Sequence, residues 1–131
     1  MTSPELTALA LAALLQVAQF GAYSIAAQKQ VGSKYAASPR DEPRQLTGTA
    51  GRLQRALNNH FEGLILFTIA VVVVVLGEAT SPLTAICGWV YLAARIAYVP
   101  AYVAGLAPGR SLIWAVGFLA TLVMLIAGLV A

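Results

Sequence analysis

"RALNNHFEGLILF", residues 55–67, places polar side chains immediately before a strongly apolar run that continues into five consecutive valines, residues 71–75. Five β-branched residues in so long an apolar stretch do not form a lone strand in lipid, because the unpaired backbone groups of a strand would find no hydrogen-bond partner there. The stretch is therefore predicted to be a membrane-spanning helix, and that helix carries His60 and Glu62 to the edge of the hydrocarbon.

The composition extends this interpretation to the whole chain. Of 131 residues, 60% are hydrophobic and only 10% are charged, whereas about a quarter of the residues in a soluble domain are charged. A bilayer core about 30 Å thick requires roughly 20 mostly apolar residues per helix. Four stretches meet this requirement, residues 6–27, 53–77, 83–104 and 112–131, and the second is apolar from Phe61 onward. We predict an all-α fold, an integral membrane four-helix bundle that forms a single domain over residues 1–131.

The positions of the basic residues predict the orientation of the bundle. Six of the eight Lys and Arg residues lie between the first span and Phe61, where the apolar part of the second span begins, and Arg110 lies between the third and fourth spans. The turn after the second span carries Glu78 and no base. By the positive-inside rule, the first and third connections are cytoplasmic and both termini face the other side. The expected location is the bacterial inner membrane, with multiple spans. The six residues are Lys29, Lys34, Arg40, Arg44, Arg52 and Arg55.

Several local signals mark the ends of these segments. The first span lacks a basic N-terminal region and a cleavage-like site, so we expect it to be retained. Residues 29–48 are predicted to be a cytoplasmic loop, because "SPRDEPR", residues 38–44, has no apolar period. Thr47 or Thr49 is expected to cap the second helix. Pro82 is expected near the start of the third helix, and Pro100 is expected to kink it near Ile96.

Cys87, His60 and the polar face of the first helix are predicted to have structural roles. A single Cys87 excludes an internal disulfide, and a single His60 without a cysteine cluster predicts no metal site. We expect Cys87 to be a small packing residue. We expect His60 either to form an interhelical hydrogen bond or to face the lipid headgroups. Gln16, Gln19 and Tyr23 share one face of the first helix, and we expect that face to point into protein.

Two polar stripes within the spans form the candidate site. An ionised side chain facing lipid costs several kcal/mol, so the stripes should face each other or a neighbouring subunit, with Glu62 and Arg95 at similar depth and able to pair. The resulting pocket would open to the cytoplasm, with Arg110 and Ser111 at its mouth. One stripe comprises Arg55, Asn59 and Glu62, and the other comprises Arg95, Tyr98 and Tyr102.

The chemistry of this pocket suits a small zwitterionic peptide. Guanidinium groups bind carboxylates, a glutamate binds an ammonium group, and a helix N-terminus favours an anion.

Three segments, "RLQRALNNHFEGLILF", "LAARIAYVPAYVAG" and "PGRSLIWAVGF", resemble the family of membrane-associated proteins in eicosanoid and glutathione metabolism, MAPEG, in its bacterial-type form. The resemblance implies a four-helix bundle that assembles as a homotrimer in the bilayer and binds glutathione as co-substrate between subunits. It assigns Arg110 and Ser111 to catalysis beside the thiol. It assigns glutathione binding to Arg55, Asn59, Glu62, Arg95, Tyr98 and Tyr102.

Two functions remain open at this stage. The first is a transferase or peroxidase that uses glutathione on lipophilic small-molecule electrophiles. The alternative is a non-catalytic membrane protein of the same architecture, whose polar residues serve oligomer assembly or bind a lipid or another protein. No nucleic-acid partner is expected. The sequence departs from catalytic relatives at Lys29, where an arginine is common, at Asn58, where several carry a base, and at Tyr98, where some have histidine.

Overall fold

Four long helices contain nearly all of the residues that the structure, a computed structural model, describes, namely residues 3–32, 34–35 and 46–131. Each helix is long and apolar enough to cross a membrane, and no strand occurs in the described ranges. The predicted all-helical fold of four spans is therefore confirmed. Of the loop predicted at residues 29–48, residues 33 and 36–45 lie outside the described residues, whereas residues 29–31 still belong to the first helix. The helices are α1 Pro4–Val31, α2 Gly48–Leu76, α3 Pro82–Val103 and α4 Gly109–Val130.

Helices α2 and α3 form the centre of the bundle. Helix α1 packs against both of them, and α4 packs against both as well. The connections at 77–81 and 104–108 are short, so α3 runs antiparallel to α2, and α4 runs antiparallel to α3. The start of α2, the end of α3 and the start of α4 therefore meet at one end of the bundle, which we call the basic end because Arg52, Arg55 and Arg110 lie there.

The opposite end is organised by a capping box at the start of α3. The Ser81 hydroxyl accepts a hydrogen bond from the Thr84 amide at 3.2 Å, and the Thr84 hydroxyl oxygen accepts one from the Ser81 amide at 2.8 Å. Pro82 occupies the first turn, as predicted. The Thr84 hydroxyl also donates to Glu5 Oε2 at 2.5 Å, and Glu5 is 1% exposed. This contact ties the first turn of α1 to the first turn of α3.

At the basic end, α1 is tied to α2 by Gln30 rather than by a conventional cap. Thr47 is the N-cap residue of α2, as predicted, but its hydroxyl makes no capping hydrogen bond to the helix. Instead, the Thr47 amide donates to Gln30 Oε1 at 2.8 Å, and Gln30 Nε2 donates to the Thr47 carbonyl oxygen at 3.1 Å. The side chain of Gln30, near the end of α1, thus forms hydrogen bonds with both the amide and the carbonyl group of Thr47.

The turn from α3 to α4 is closed by a glycine motif and by an arginine from α2. Gly105 has a φ of 74°, a region that glycine adopts without steric cost, and the Leu106 amide donates to the Ala101 carbonyl at 2.9 Å. Arg52 Nη1 donates to the carbonyl oxygen of Val103, in the last turn of α3, at 2.8 Å. A cation at a helix C-terminus is electrostatically favourable, so this contact holds the turn against α2.

The core uses small residues where helices approach and aromatic rings where they separate. Ala8 and Ala12 on α1 are fully buried, and a Cβ placed on Gly88 would lie 3.4 Å from the Ala8 Cβ. Phe67 and Tyr91 stack with ring centroids 3.9 Å apart and an interplanar angle of 10°. The alanine-rich first helix therefore allows the close approach that small residues permit between membrane helices.

A buried polar contact joins α1 to α2 within the apolar core. His60 is 0% exposed, and its Nδ1–H donates to Gln16 Oε1 at 2.8 Å. The Gln16 amide nitrogen in turn donates to the Leu57 carbonyl oxygen at 3.4 Å. Gln19 is also buried, and Cys87 is buried as a free thiol. The predicted interhelical bond of His60, the inward face of α1 at its glutamines, and the packing role of Cys87 are confirmed.

We predict that Gly128→Ala destabilises the bundle where α4 crosses the valine run of α2. A Cβ at position 128 would lie 2.6 Å from Val73 Cγ1, and a β-branched side chain in a helix has little rotamer freedom with which to move away. Overpacking of this kind costs about 1–3 kcal/mol, which exceeds the helix-propensity gain of up to about 1 kcal/mol. The thermal unfolding midpoint in detergent, followed by circular dichroism, should fall.

Two further variants control this measurement. Gly117→Ala makes the same exchange on the same helix, but its Cβ would lie 3.5 Å from its nearest neighbour, the Ala94 Cβ, which is an ordinary contact distance. The unfolding midpoint of this variant should therefore not fall. Adding Val73→Ala to Gly128→Ala removes the clashing methyl and should restore stability. Equal midpoints for the two glycine variants would contradict the close approach of α2 and α4.

We also predict strong coupling between His60 and Gln16. His60→Leu leaves the buried Gln16 side chain without its partner, and Gln16→Leu leaves the buried imidazole without its partner, so each change should cost about 1–3 kcal/mol. The double variant replaces both polar groups with apolar ones and should recover most of that loss. Thermal unfolding of the four proteins in one detergent measures the coupling, and strictly additive losses would show that the bond contributes nothing to stability.

Candidate functional site

Two adjoining cavities open between α2, α3 and α4 near the basic end. The outer recess has a volume of about 280 Å³ and the inner pocket, farther from the basic end, about 150 Å³. Asn59 and Trp114 line both cavities. The outer recess is otherwise lined by Arg55, Tyr98, Tyr102, Arg110 and Ser111. Chemically distinctive residues of the inner pocket are Glu62, Gly63, Tyr91, Arg95, Phe118 and Thr121.

Tyr102 is the centre of the outer recess. Arg55 Nε donates to the Tyr102 hydroxyl oxygen at 3.0 Å. The Arg110 guanidinium carbon lies 4.4 Å from the centroid of the Tyr102 ring, a cation–π contact. Two cations from different helices thus converge on one phenol, and no carboxylate is among the described residues that line this recess. The recess is therefore electrostatically suited to an anion.

The helices explain this convergence. Arg55 and Asn59 are one turn apart on α2, and Tyr98 and Tyr102 are one turn apart on α3, so each pair shares a face. Arg110 opens α4 directly after the turn that Arg52 holds against α2. One expectation needs correction: the first amides of α4 offer little to an anion, because those of residues 110–112 already donate to the Leu106 and Pro108 carbonyls.

The inner pocket contains both members of the expected Glu62–Arg95 pair, but they form no ion pair. Arg95 is 3% exposed, and its guanidinium lies 4.4 Å from the Tyr98 ring centroid. Its Nε and Nη2 atoms have no hydrogen-bond partner among the described residues. Glu62 lies on an exposed part of α2. The similar depth of the two residues was predicted correctly, and their pairing was wrong because the guanidinium is directed to the tyrosine ring.

The structure therefore brings the two predicted stripes to two adjoining cavities that share Asn59 and Trp114. Six of the eight predicted site residues line the outer recess, and Glu62 and Arg95 line the inner pocket next to it. Their roles as glutathione contacts or catalytic groups stay predictions. Lys29 lines a different cavity at the end of α1 with Gln30 and Thr47, and Asn58 is exposed and lines neither cavity.

Seven lining residues were missed by the sequence interpretation, and two of them, Tyr91 and Trp114, continue the predicted polar faces. Tyr91 precedes Arg95 by four positions and so extends the α3 stripe by one turn, and Trp114 follows Arg110 by four positions on α4. The spacing of both could have identified them. Their apolar neighbours concealed them, because an aromatic residue in a membrane helix is commonly a packing or interface residue. No group of three potential metal ligands occurs within residues 3–32, 34–35 and 46–131.

Comparison with known proteins gives one finding at the level of the family. No curated protein matches the chain. The model of the MAPEG family matches residues 5–130, which is nearly the whole chain and includes all four helices and both cavities. Together with the four spans and the polar stripes that they bring together, this match shows that the chain belongs to the MAPEG family.

Proposed function

We propose that this protein is a membrane-bound, glutathione-dependent transferase or peroxidase that acts on lipophilic electrophiles. Its family includes glutathione transferases and peroxidases. The observation that carries the proposal is the outer recess, in which Arg55 and Arg110 converge on Tyr102 and no described lining residue is acidic. Glutathione has two carboxylates and one ammonium group, so its net negative charge complements this recess.

The residues take the following roles in the proposal. Arg55 binds a glutathione carboxylate, because a guanidinium can donate two parallel hydrogen bonds to it. Asn59 offers its amide on the wall shared by both cavities, and Glu62 in the adjoining inner pocket pairs with the ammonium group. Tyr98 and Tyr102 contribute phenol groups, and Arg95 closes the deep side of the site. Glutathione is thus proposed to span the two adjoining cavities.

Arg110 and Ser111 are the proposed catalytic residues. A thiol becomes an effective nucleophile as its thiolate, which a nearby cation stabilises. The Arg110 guanidinium supplies that charge, and the Ser111 hydroxyl donates a hydrogen bond to the sulfur. With an aryl halide, the sulfur forms a bond to the ring carbon, the halide leaves with the bonding electron pair, and the thiol proton goes to water. The lipophilic reactant arrives from the bilayer.

The proposed assembly is a homotrimer in the bacterial inner membrane, with the basic end towards the cytoplasm and both termini on the other side. Support comes from Arg55 and Glu62, which are exposed on the single chain although they belong to an apolar span. Ionised groups facing lipid are costly, so a neighbouring copy or a ligand should cover them. The orientation follows the positive-inside rule and gives cytoplasmic glutathione access to the recess.

The rival function is a non-catalytic member of the family that uses these polar groups for assembly or for binding a lipid or a protein partner. It is favoured by one observation: Arg55 already donates to Tyr102, and Arg110 already lies against the same ring. In this interpretation the arginines complete a structural network and no peptide enters the recess.

We predict that glutathione stabilises the detergent-solubilised protein against heat. At a concentration about 100 times its Kd, a ligand specific for the folded state adds about 2.7 kcal/mol. Arg55→Lys keeps the charge but removes the fork geometry that binds a carboxylate, so the affinity should fall about 10-fold or more, since hydrogen bonds to charged groups contribute about 1.5–3 kcal/mol. The change in unfolding midpoint over a glutathione titration measures this effect.

Arg52→Lys is the matched control, because Arg52 lies on the same turn of α2 but bonds the Val103 carbonyl instead of lining the recess. It should retain the full response to glutathione. A wild-type protein that shows no shift, together with loss of the oligomer in Glu62→Ala, would favour the rival function.

We further predict that Arg110→Ala lowers the turnover of a chlorinated dinitrobenzene with glutathione. The variant removes the cation that stabilises the thiolate, so kcat should fall by about 10-fold or more, in line with the roughly 10²-fold or larger effects of single electrostatic groups in other active sites. The release of the conjugate is followed by its absorbance, with variants first shown to be folded. A wild-type rate in Arg110→Ala would remove this arginine from the mechanism.

A further inference from the structure

Arg52 lies outside both cavities, yet it is bonded to the turn that leads into Arg110. Its Nη1 atom donates to the Val103 carbonyl oxygen at 2.8 Å, and it lines neither the outer recess nor the inner pocket. The amides of residues 104–107 all donate to other carbonyls, so the hydrogen bond that the Val103 carbonyl accepts comes from Arg52. A side chain of α2 thus completes the end of α3.

The same guanidinium also lies against Gly105. A Cβ at position 105 would be 3.4 Å from Arg52 Nη1 and 3.5 Å from both Cζ and Nη2. Because these three atoms are at nearly the same distance, the flat face of the guanidinium rests over the glycine. Gly105 has the positive φ that closes the turn. Arg52 therefore contacts the turn at two points, one of them the residue on which its shape depends.

The turn is short and internally hydrogen-bonded, so the position of Val103 is passed on to Arg110. The Leu106 amide donates to the Ala101 carbonyl of α3 at 2.9 Å, and the Leu106 carbonyl accepts from the Arg110 amide of α4 at 2.8 Å. Leu106 is thereby bonded to both helices. A shift of the end of α3 relative to α2 should consequently move the start of α4 as well.

The guanidinium that this turn carries belongs to the site. Arg110 lies 4.4 Å from the Tyr102 ring centroid, and Arg55, one turn after Arg52 on α2, donates to the Tyr102 hydroxyl. We propose that Arg52 is a positioning residue for Arg110: it holds the turn between α3 and α4 against α2 and so keeps the Arg110 guanidinium beside the glutathione thiol. This inference rests on the proposed function and adds a division of labour on α2, in which Arg55 binds glutathione and Arg52 controls its turnover.

The effect should appear in kcat and not in the affinity for glutathione. Arg55 and Glu62, the proposed partners of the charged groups of glutathione, belong to α2 itself and do not depend on the turn. A misplacement of about 1 Å can cost about 10²-fold in rate, so Arg52→Ala should lower kcat with the chlorinated dinitrobenzene by about 10-fold or more. The Kd from thermal titration should stay at the wild-type value. Arg52→Lys keeps a cationic donor and should recover most of the rate.

A double-mutant cycle tests whether Arg52 acts through Arg110. If Arg52 only orders Arg110, then Arg52→Ala/Arg110→Ala should be no slower than Arg110→Ala alone. If Arg52 acted on the thiolate through its own charge, its removal would slow the Arg110→Ala protein again, and losses that multiply in this way overturn the proposal. Gly128→Ala controls for stability, because Gly128 lines neither cavity. Its kcat should equal the wild-type value at temperatures below its lowered midpoint.

Thermal unfolding of the same four proteins without glutathione gives a readout that needs no turnover. Arg110→Ala removes the cation–π contact with Tyr102 and should lower the midpoint of the wild type. In the Arg52→Ala background, where Arg110 is no longer held on the ring, the same change should lower the midpoint less.

The two measurements separate this inference from the proposed function. A wild type that conjugates, together with an Arg52→Ala variant that keeps the wild-type kcat, overturns the positioning role alone. A wild type that does not conjugate contradicts the proposed function. In that case, coupled midpoints still support the placement of Arg110 by Arg52, and additive midpoints overturn it too.

Discussion

The cost of holding ionised side chains within hydrocarbon is the constraint on which the rest of this structure depends. Arg95 lies well inside an apolar span and is almost fully buried, so its charge must be compensated by protein groups rather than by water. Packing against Tyr98 supplies part of that compensation. The face of α3 that carries Arg95 is consequently turned towards α2 and α4, and this choice of face opens the two cavities.

The remaining contacts hold the three helices in the positions that this face requires. Arg52 fixes the turn between α3 and α4 against α2, and that turn presents Arg110 to Tyr102. Helix α1 stays outside the cavities and is joined to the bundle by polar contacts at three levels, through Glu5, Gln16 and Gln30. The site is thus built by α2, α3 and α4, whereas α1 supports it from behind.

The two cavities that share Asn59 and Trp114 differ in chemistry. The outer recess is cationic and lies at the basic end, where a water-soluble anion can approach. The inner pocket is lined by the aromatic residues Tyr91, Trp114 and Phe118, together with one acidic and one basic residue, Glu62 and Arg95. Asn59 and Trp114 belong to both, so occupants of the two cavities would be neighbours.

The sequence by itself determined the class of protein, the four spans and the two polar stripes, because hydrophobic length and helical spacing are local properties that lipid enforces. It also indicated the cap of α3 and the inward face of α1. Only the tertiary structure decided that Arg95 meets Tyr98 rather than Glu62 and that Gln30 replaces a cap at Thr47. Those outcomes depend on rotamers and on distances between helices, which the spacing of residues along one helix does not specify.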